Sequence, residues 1–278
     1  MPAPHDSLTV KFWGTRASYP FFRPTHRRLG GDTSCVALRW QAHQLFIDAG
    51  TGLMHAEPTD GHDVILLSHF HLDHVLGLPY FLGKKKKGTL TLASAACSSA
   101  ADLQAKLGSV YGGVGFPVSL SLIRPDMQWL PLPVDTPTLL GPWQIGACEL
   151  NHPGTAFGYR VRAQQGQTSV VYLSDHEHGS ARDPALENFA RGAGLVIWDS
   201  SYDDRQFEQY KGWGHSTWQE GIRFARRCGA RQLALSHHDP SRDDACAAEL
   251  QLMIEDPDVF LACDGLEMAL PQPDLGAA

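Results

Sequence analysis

The six residues 69–74 constrain this chain more than any other stretch, because four of them are potential metal ligands. The run reads His69-Phe70-His71-Leu72-Asp73-His74. Imidazole and carboxylate groups together suit zinc, manganese or iron, and a site without thiolates favours a catalytic ion over a purely structural one. One histidine on an apolar face is usually a hydrogen-bonded core residue, but this density of ligands is improbable by chance. The run therefore predicts a metal-dependent hydrolase.

The surroundings of this run predict where it lies in the fold. Residues 63–68 form a short apolar run of strand length, and residues 75–82 fit a helix. The ligands therefore occupy the turn that leaves a buried strand. On that turn the first two histidines can converge on one ion, while Asp73 and His74 lean toward a second ion.

Further residues of the ligand type follow four strands predicted downstream. The apolar runs that predict these strands are residues 143–150, 169–173, 195–198 and 232–235. The ligand-type residues that follow them, in the same order, are His152, Asp175, Asp199 and the pair His237 and His238. An active site along the carboxyl ends of adjacent strands produces this pattern, so we expect these side chains to gather at one edge.

With these residues on the strand ends, the chain resembles the metallo-β-lactamase superfamily from about Leu8 to Leu270. The shared pattern is the HxHxDH turn, followed by His152, Asp175 and a histidine after the last core strand. The resemblance implies an α/β fold of the four-layer αββα type. It also implies one metallo-β-lactamase-fold domain over residues 1–278.

The resemblance implies two divalent metal ions, with zinc favoured and manganese or iron as alternatives. The implied ligands are His69, His71 and His152 for one ion, Asp73, His74 and His237 for the other, and Asp175 as the bridge. His238 competes for the last position, and His237 is preferred because it comes first after the strand. Asp48, which follows another strand, is expected to hydrogen-bond a metal-bound histidine.

A second pattern indicates a branch of the superfamily. Residues 212–217, Gly-Trp-Gly-His-Ser-Thr, together with Asp199 look like the acidic residue and His-Ser-Thr motif of the tRNA 3′-processing endonuclease RNase Z and related phosphodiesterases. The resemblance implies that His215 contacts the phosphate and works with Asp199 in proton transfer, with Asp73 as a further catalytic residue. A phosphodiester transition state gains negative charge, which a neighbouring cation stabilises. The alternative is that His215 only caps a helix that begins near Ser216.

Charge and composition favour a small substrate. The chain has 23 Lys and Arg against 30 Asp and Glu, which argues against a broad surface for nucleic acid. The run Lys84–Lys87 either attracts phosphate or forms a solvated loop. Nothing in the sequence matches the long basic arm with which the tRNA-processing enzymes hold their substrate. The sequence therefore predicts a dinuclear phosphodiesterase for a small nucleotide, cyclic or linear, or for a similar phosphodiester.

Three alternatives remain. A hydrolase of carbon esters, lactones or thioesters on the same scaffold would tolerate the loss of His215. A tRNA 3′-processing endonuclease would share the motif of residues 212–217. A binding protein with a degenerate site would not need metal ligands, and the intact ligand set counts against it.

Location and assembly are predicted from segments outside the ligand set. Residues 1–7 contain no apolar segment, and no apolar run approaches the ~18 residues of a membrane span, so we expect neither secretion nor membrane insertion. The six cysteines form no CxxC pair and indicate reduced core thiols in a cytoplasmic protein. Glycine and aromatic residues mix at 111–117, a region that forms substrate loops or dimer contacts in relatives, so we expect a homodimer.

Overall fold

The computed structural model describes residues 7–164, 166 and 168–270, and most of the segment 1–7, on which the expectation about secretion rests, lies outside this range. The strands are, in chain order, β1 (Leu8–Gly14), β2 (Cys35–Trp40), β3 (His43–Ile47), β4 (His62–Leu66), β5 (Thr89–Ser94), β6 (Gln128–Pro131), β7 (Thr138–Leu140), β8 (Trp143–Glu149), β9 (Phe157–Ala163), β10 (Val170–Leu173), β11 (Leu195–Asp199), β12 (Leu233–Ser236), β13 (Val259–Leu261) and β14 (Glu267–Leu270). The α-helices are α1 (Leu78–Lys84), α2 (Ala100–Val110), α3 (Leu120–Ile123), α4 (Asp183–Ala190), α5 (Asp204–Phe207), α6 (Trp218–Cys228) and α7 (Asp244–Met253).

The strands form two sheets that pack face to face. One sheet has the order β14-β1-β2-β3-β4-β5-β6 and the other has the order β13-β12-β11-β10-β9-β8-β7. Successive side chains of a strand point to opposite faces, so β3 turns Leu45 and Ile47 into the core between the sheets and Phe46 toward the helices. Helices α1, α2 and α3 cover the outer face of the first sheet, and α4, α6 and α7 cover that of the second. The predicted αββα sandwich is confirmed.

Parallel strands bring the predicted ligands to one edge of this sandwich. Strands β3 to β6 run parallel in the first sheet, and β10 to β13 run parallel in the second. His69 follows the carboxyl end of β4, Asp175 follows β10, Asp199 ends β11, and His237 follows β12. A backbone hydrogen bond from Phe157 to the carbonyl of Ser68, at 3.1 Å, links the two sheets beside these ends.

The five strands for which the sequence predicts bounds are present, with ends displaced by at most two residues. The predicted helix over residues 75–82 begins later. The chain first makes a 3-10 turn over Leu72–His74, and α1 starts only at Leu78. The amide of Gly77 donates to the carbonyl of Ala49 at 2.8 Å, so it is engaged in a tertiary contact. The apolar pattern of residues 75–82 does not encode that contact.

Three lysines of the run Lys84–Lys87 pair with acidic side chains of residues 57–63. Lys85 is fully buried, and its Nζ lies 3.0 Å from a carboxylate oxygen of Asp63 and 2.8 Å from two backbone carbonyls. The exposed Lys84 and Lys87 pair with carboxylates at 2.9 and 3.3 Å. Three of the four lysines are therefore paired with nearby carboxylates, which differs from both a free phosphate patch and a freely solvated loop.

Two observations bear on the predicted environment of the chain. All six cysteines are free, as predicted, but Cys246 is exposed, so the prediction of core thiols is wrong for that residue. Among the described residues, no helix has both the length and the apolar character needed to cross a membrane.

Candidate metal centre

Histidine and aspartate side chains from both sheets meet at the shared edge. Two sets of three residues have ligand atoms that all lie within 4.8 Å of one another, namely His69, His71 and His152 in one set and Asp73, His74 and His237 in the other. Asp175 completes two further sets, one with His69 and His74 and the other with Asp199, His215 and His237. The structure thus brings all seven predicted ligands into one cluster.

Asp175 lies between the two sets of ligands. Its Oδ2 atom is 3.0 Å from Nε2 of His74 and 3.4 Å from Nε2 of His237, whereas its Oδ1 atom is 4.0 Å from Nε2 of His152. Asp175 and His237 both have a positive φ, at 60° and 55°. Such backbone conformations are costly for residues other than glycine and persist where the surroundings enforce them, often at functional sites.

Three of the histidine nitrogens that face this cluster lack a well-aligned hydrogen-bond partner among the described residues. The Nε2 atoms of His69, His74 and His237 are buried without one. A buried polar atom without a partner is costly, and a metal ion would satisfy all three nitrogens. The opposite nitrogens are engaged, since Nδ1 of His69 lies 2.9 Å from the hydroxyl of Ser68 and Nδ1 of His74 lies 2.7 Å from Asp48. This division is typical of metal-binding histidines, so the residues fit divalent ions.

Asp48 accepts hydrogen bonds that hold the HxHxDH turn in place. Its Oδ2 atom accepts hydrogen bonds from Nδ1 of His74 at 2.7 Å, from the Ser68 hydroxyl at 2.8 Å and from the Tyr172 hydroxyl at 2.9 Å. The predicted hydrogen bond between Asp48 and a histidine of the turn is therefore present. Tyr172 was not anticipated, because it reaches Asp48 from the other sheet and no local pattern marks it.

His237 and His238 have opposite surroundings. His237 joins the cluster, whereas Nε2 of His238 donates to the carbonyl of Ala262 at 2.8 Å and its Nδ1 accepts from Arg242 at 2.9 Å. Both histidines are buried, but both ring nitrogens of His238 are already engaged. The geometry therefore favours His237 as the ligand and gives His238 a structural role.

Carboxylates and imidazoles balance each other's charge in the cluster. Burial lowers the pKa of His237, but Asp175 and Asp199 outweigh it and raise that pKa to about 10. Burial raises the pKa of Asp175, but His237 and His74 outweigh it and hold the pKa well below the usual value. Burial and the neighbouring His74 lower the pKa of His69. Metal ions bound at these ligands would take the place of protons on the histidines whose pKa is raised, such as His237.

His215 pairs with Asp199 beside the cluster. Its Nδ1 atom donates to Oδ2 of Asp199 at 2.8 Å, and the same oxygen accepts from the amide of Asp175 at 3.1 Å. Burial lowers the pKa of His215, but the charge and hydrogen bond of Asp199 outweigh it, so the pKa is raised. Helix α6 is capped by Thr217, whose hydroxyl accepts from the amide of Glu220 at 3.0 Å. The alternative that His215 only caps this helix is therefore wrong.

Glu177 holds the loop that carries these residues, a role that the sequence analysis did not predict. Its Oε2 atom accepts from the amides of Gly212 at 2.6 Å and of Gly214 at 3.0 Å. The carbonyl of Gly214 in turn accepts from Nδ1 of His152 at 2.9 Å. Glu177 thus orients a predicted ligand through the backbone. The sequence signal that could have indicated this role is the position of Glu177, two residues after the predicted ligand Asp175.

A model of the beta-lactamase superfamily domain matches residues 43–238, which span the whole cluster. The chain belongs to the metallo-β-lactamase superfamily. Ribonuclease Z of Myxococcus xanthus is 25% identical over an alignment 323 positions long, which covers 96% of this chain and 99% of that one. An uncharacterized protein of Mycobacterium tuberculosis is 27% identical over 229 residues, or 79% of each chain. The match to ribonuclease Z supports the predicted RNase Z-like branch.

Solved structures share the metallo-β-lactamase fold. The metallo-beta-lactamase fold protein YhfI from Bacillus subtilis has a TM-score of 0.72 at 19% identity, covering 95% of this chain and 99% of that one. The short form of human tRNase Z has a TM-score of 0.67 at 22% identity, with 95% and 99% covered. Membership of the superfamily, together with clusters that can hold metal, indicates a metal-dependent hydrolase.

The close approach of Gly214 to His152 predicts that a side chain at position 214 weakens metal binding. Gly214 has a φ of 85°, and a Cβ there would lie 2.2 Å from Nδ1 of His152. We expect Gly214→Ala to displace His152 and weaken metal binding at the first set by about 10- to 100-fold, as when a ligand loses its orienting partner. Gly212→Ala is the matched control, because Gly212 also has a positive φ and bonds Glu177, but its Cβ would meet no atom. Chelator competition measures the metal affinity of both variants. Equal losses of affinity would contradict the role given to the clash between the new Cβ and His152.

Proposed function

We propose that this protein is a dinuclear metal-dependent phosphodiesterase that acts on a small phosphodiester, with nucleotides as the favoured class. The pair of His215 and Asp199 beside the ligand cluster carries the proposal. The phosphate of a diester carries a negative charge that increases in the transition state, and a cation at this place, beside the two ions, stabilises that charge.

The ions are held, in this proposal, by the two ligand sets of the cluster, with Asp175 shared between them. The donors are imidazole nitrogens and carboxylate oxygens, which suit zinc and also admit manganese or iron. When bound, the pair of ions would acidify a water and withdraw charge from the phosphoryl oxygens. Asp73 contributes a ligand oxygen, and its Oδ2 atom is oriented by the amide of Ser18 at 2.8 Å.

His215 acts on the phosphate side of the reaction. Because Nδ1 donates to Asp199, Nε2 is the nitrogen left to donate a hydrogen bond to a phosphoryl oxygen or a proton to the leaving oxygen. Asp199 holds the ring in one orientation and is itself held by Ser201, whose hydroxyl donates to Oδ1 at 2.7 Å. The His215 side chain retains 14% of its surface, so a substrate can reach it.

The charge of the chain supports a small substrate. The net charge is −7, and three of the four lysines at 84–87 are paired with carboxylates. A long polyanion would meet little compensating charge on such a protein. The full-length similarity to ribonuclease Z keeps processing of tRNA 3′ ends as the second candidate.

A panel of substrates tests the proposal on metal-replete protein. The panel contains bis-p-nitrophenyl phosphate, cyclic mononucleotides, precursor tRNA, a β-lactam and an acyl-homoserine lactone. We expect turnover of the first two classes, and loss of that turnover after metal removal by a chelator with recovery on adding zinc or manganese. Turnover confined to the lactam or lactone would refute the proposal, and preference for precursor tRNA would favour the second candidate.

A further inference from the structure

Trp213 is an exposed aromatic side chain two residues before His215. It retains 61% of its surface. Its neighbour Gly214 accepts a hydrogen bond from His152, and His215 follows directly. Consecutive Cα atoms are about 3.8 Å apart, so the Cα of Trp213 lies within about 7.6 Å of that of His215. The indole is therefore carried by the same short segment as His215.

The backbone on both sides of Trp213 is fixed by one carboxylate. Oε2 of Glu177 accepts from the amide of Gly212 and from the amide of Gly214, at 2.6 and 3.0 Å. Glu177 itself is buried, with 8% of its surface exposed, so this anchor is shielded from water. A tryptophan held on a fixed loop loses little conformational entropy when it binds a ligand.

A series of aromatic rings supports the indole and leads back to His215. The ring of Trp213 meets that of Tyr210 edge to face at 5.4 Å, and Tyr210 stacks on Tyr202 at 4.5 Å with an interplanar angle of 9°. Tyr202 in turn meets the His215 ring edge to face at 6.0 Å. The indole thus contacts one neighbouring ring and keeps 61% of its surface exposed, so part of it is free to stack on a further ring.

We propose that Trp213 determines specificity by stacking on the base of a nucleotide phosphodiester whose phosphate lies at the cluster, an inference that rests on the proposed function. Every nucleobase offers a flat π face, so this contact selects for a base while tolerating its identity. The aromatic series orients the indole, and the adjacent His215 takes the phosphate. The substrate class is therefore a base-bearing diester rather than a simple alkyl diester.

Two chromogenic diesters with the same leaving group isolate this contact. Thymidine 5′-(p-nitrophenyl phosphate) carries a base, and methyl p-nitrophenyl phosphate does not. We expect Trp213→Ala to lower kcat/KM for the thymidine ester by about tenfold or more, mainly through KM, in line with the loss of one base–aromatic stack. The methyl ester should change far less, and Trp213→Phe should restore most of the loss. Leu139→Ala removes an equally exposed side chain from the far edge strand β7 and serves as the control.

Binding of reaction products gives a readout that does not depend on turnover. Calorimetry should show that adenosine 5′-monophosphate binds more tightly than ribose 5-phosphate to the parent protein, and that Trp213→Ala removes this difference. Equal weakening of both ligands, or of neither, would overturn the stacking role and leave the proposed function in place. If the parent protein hydrolyses neither diester and binds neither phosphate, the proposed function fails and this inference fails with it.

Discussion

Asp175→Ala protein is expected to lose both metal ions. Its two carboxylate oxygens face different ligand sets, with Oδ2 at 3.0 Å from His74 and Oδ1 at 4.0 Å from His152. Removing a residue that only orients a ligand costs about 10- to 100-fold in metal affinity, so removing the shared ligand should cost more at both sites. Elemental analysis of metal-replete protein should give about two ions per chain for the parent and well below one for the variant.

The adjacent histidines His237 and His238 supply the control for this experiment. His237→Ala should also deplete the metal, because its Nε2 faces the cluster without a hydrogen-bond partner. His238→Ala should keep the metal in the folded fraction, although it loses hydrogen bonds to Arg242 and Ala262 and melts at a lower temperature. A parent protein with one ion or none would refute the dinuclear proposal, and the reverse result for the two histidines would exchange their roles.

The sequence predicted the location of the cluster because the ligands occupy regular positions. Each apolar run closes on a histidine or aspartate, and parallel strands place their carboxyl ends side by side, so the edge could be inferred without knowing the sheet order. Glu177 escaped prediction because its partners, the amides of Gly212 and Gly214, lie 35 residues or more away and carry no side chain that signals them. Such contacts depend on the folded chain.

The same reason explains the errors in local structure. Lys85 lies in a run of four lysines and looks solvated, yet the fold buries it against Asp63, which belongs to a different segment. Helix α1 starts at Leu78 rather than Val75, since Gly77 is engaged by Ala49. Patterns within a segment predict its type and its apolar face, whereas tertiary contacts decide where it begins and which charges are buried.

His215→Ala should retain both metal ions and the fold but lower kcat on a phosphodiester by about 10²-fold or more. Losses of this size are typical when one acid–base or charge-stabilising group is removed. His215 is absent from the two ligand sets that would hold the ions, so metal content should not follow the rate. Steady-state kinetics on bis-p-nitrophenyl phosphate, combined with elemental analysis, separates loss of the catalytic group from loss of the ions.

His178→Ala is the matched control for disturbance of the same segment. Nδ1 of His178 lies 2.7 Å from the hydroxyl of Ser216, the residue after His215, and its ring stacks on Phe207 at 4.0 Å. This variant loosens the segment without removing the imidazole that faces the substrate. If the effect of His215→Ala came from disorder alone, His178→Ala would reproduce it, and we expect instead a much smaller loss of rate.

Asp199→Asn should act in the same direction as His215→Ala but by less, because the imidazole remains and only its charge partner is weakened. The two residues form one hydrogen-bonded unit at 2.8 Å, so the double variant should be little slower than His215→Ala alone. Additive losses of rate would show that Asp199 also acts independently of His215. It could do so by accepting the hydrogen bond from the amide of Asp175, at 3.1 Å. Parental rates in both single variants, or turnover restricted to lactones and thioesters, would remove the basis for phosphodiester chemistry in this chain.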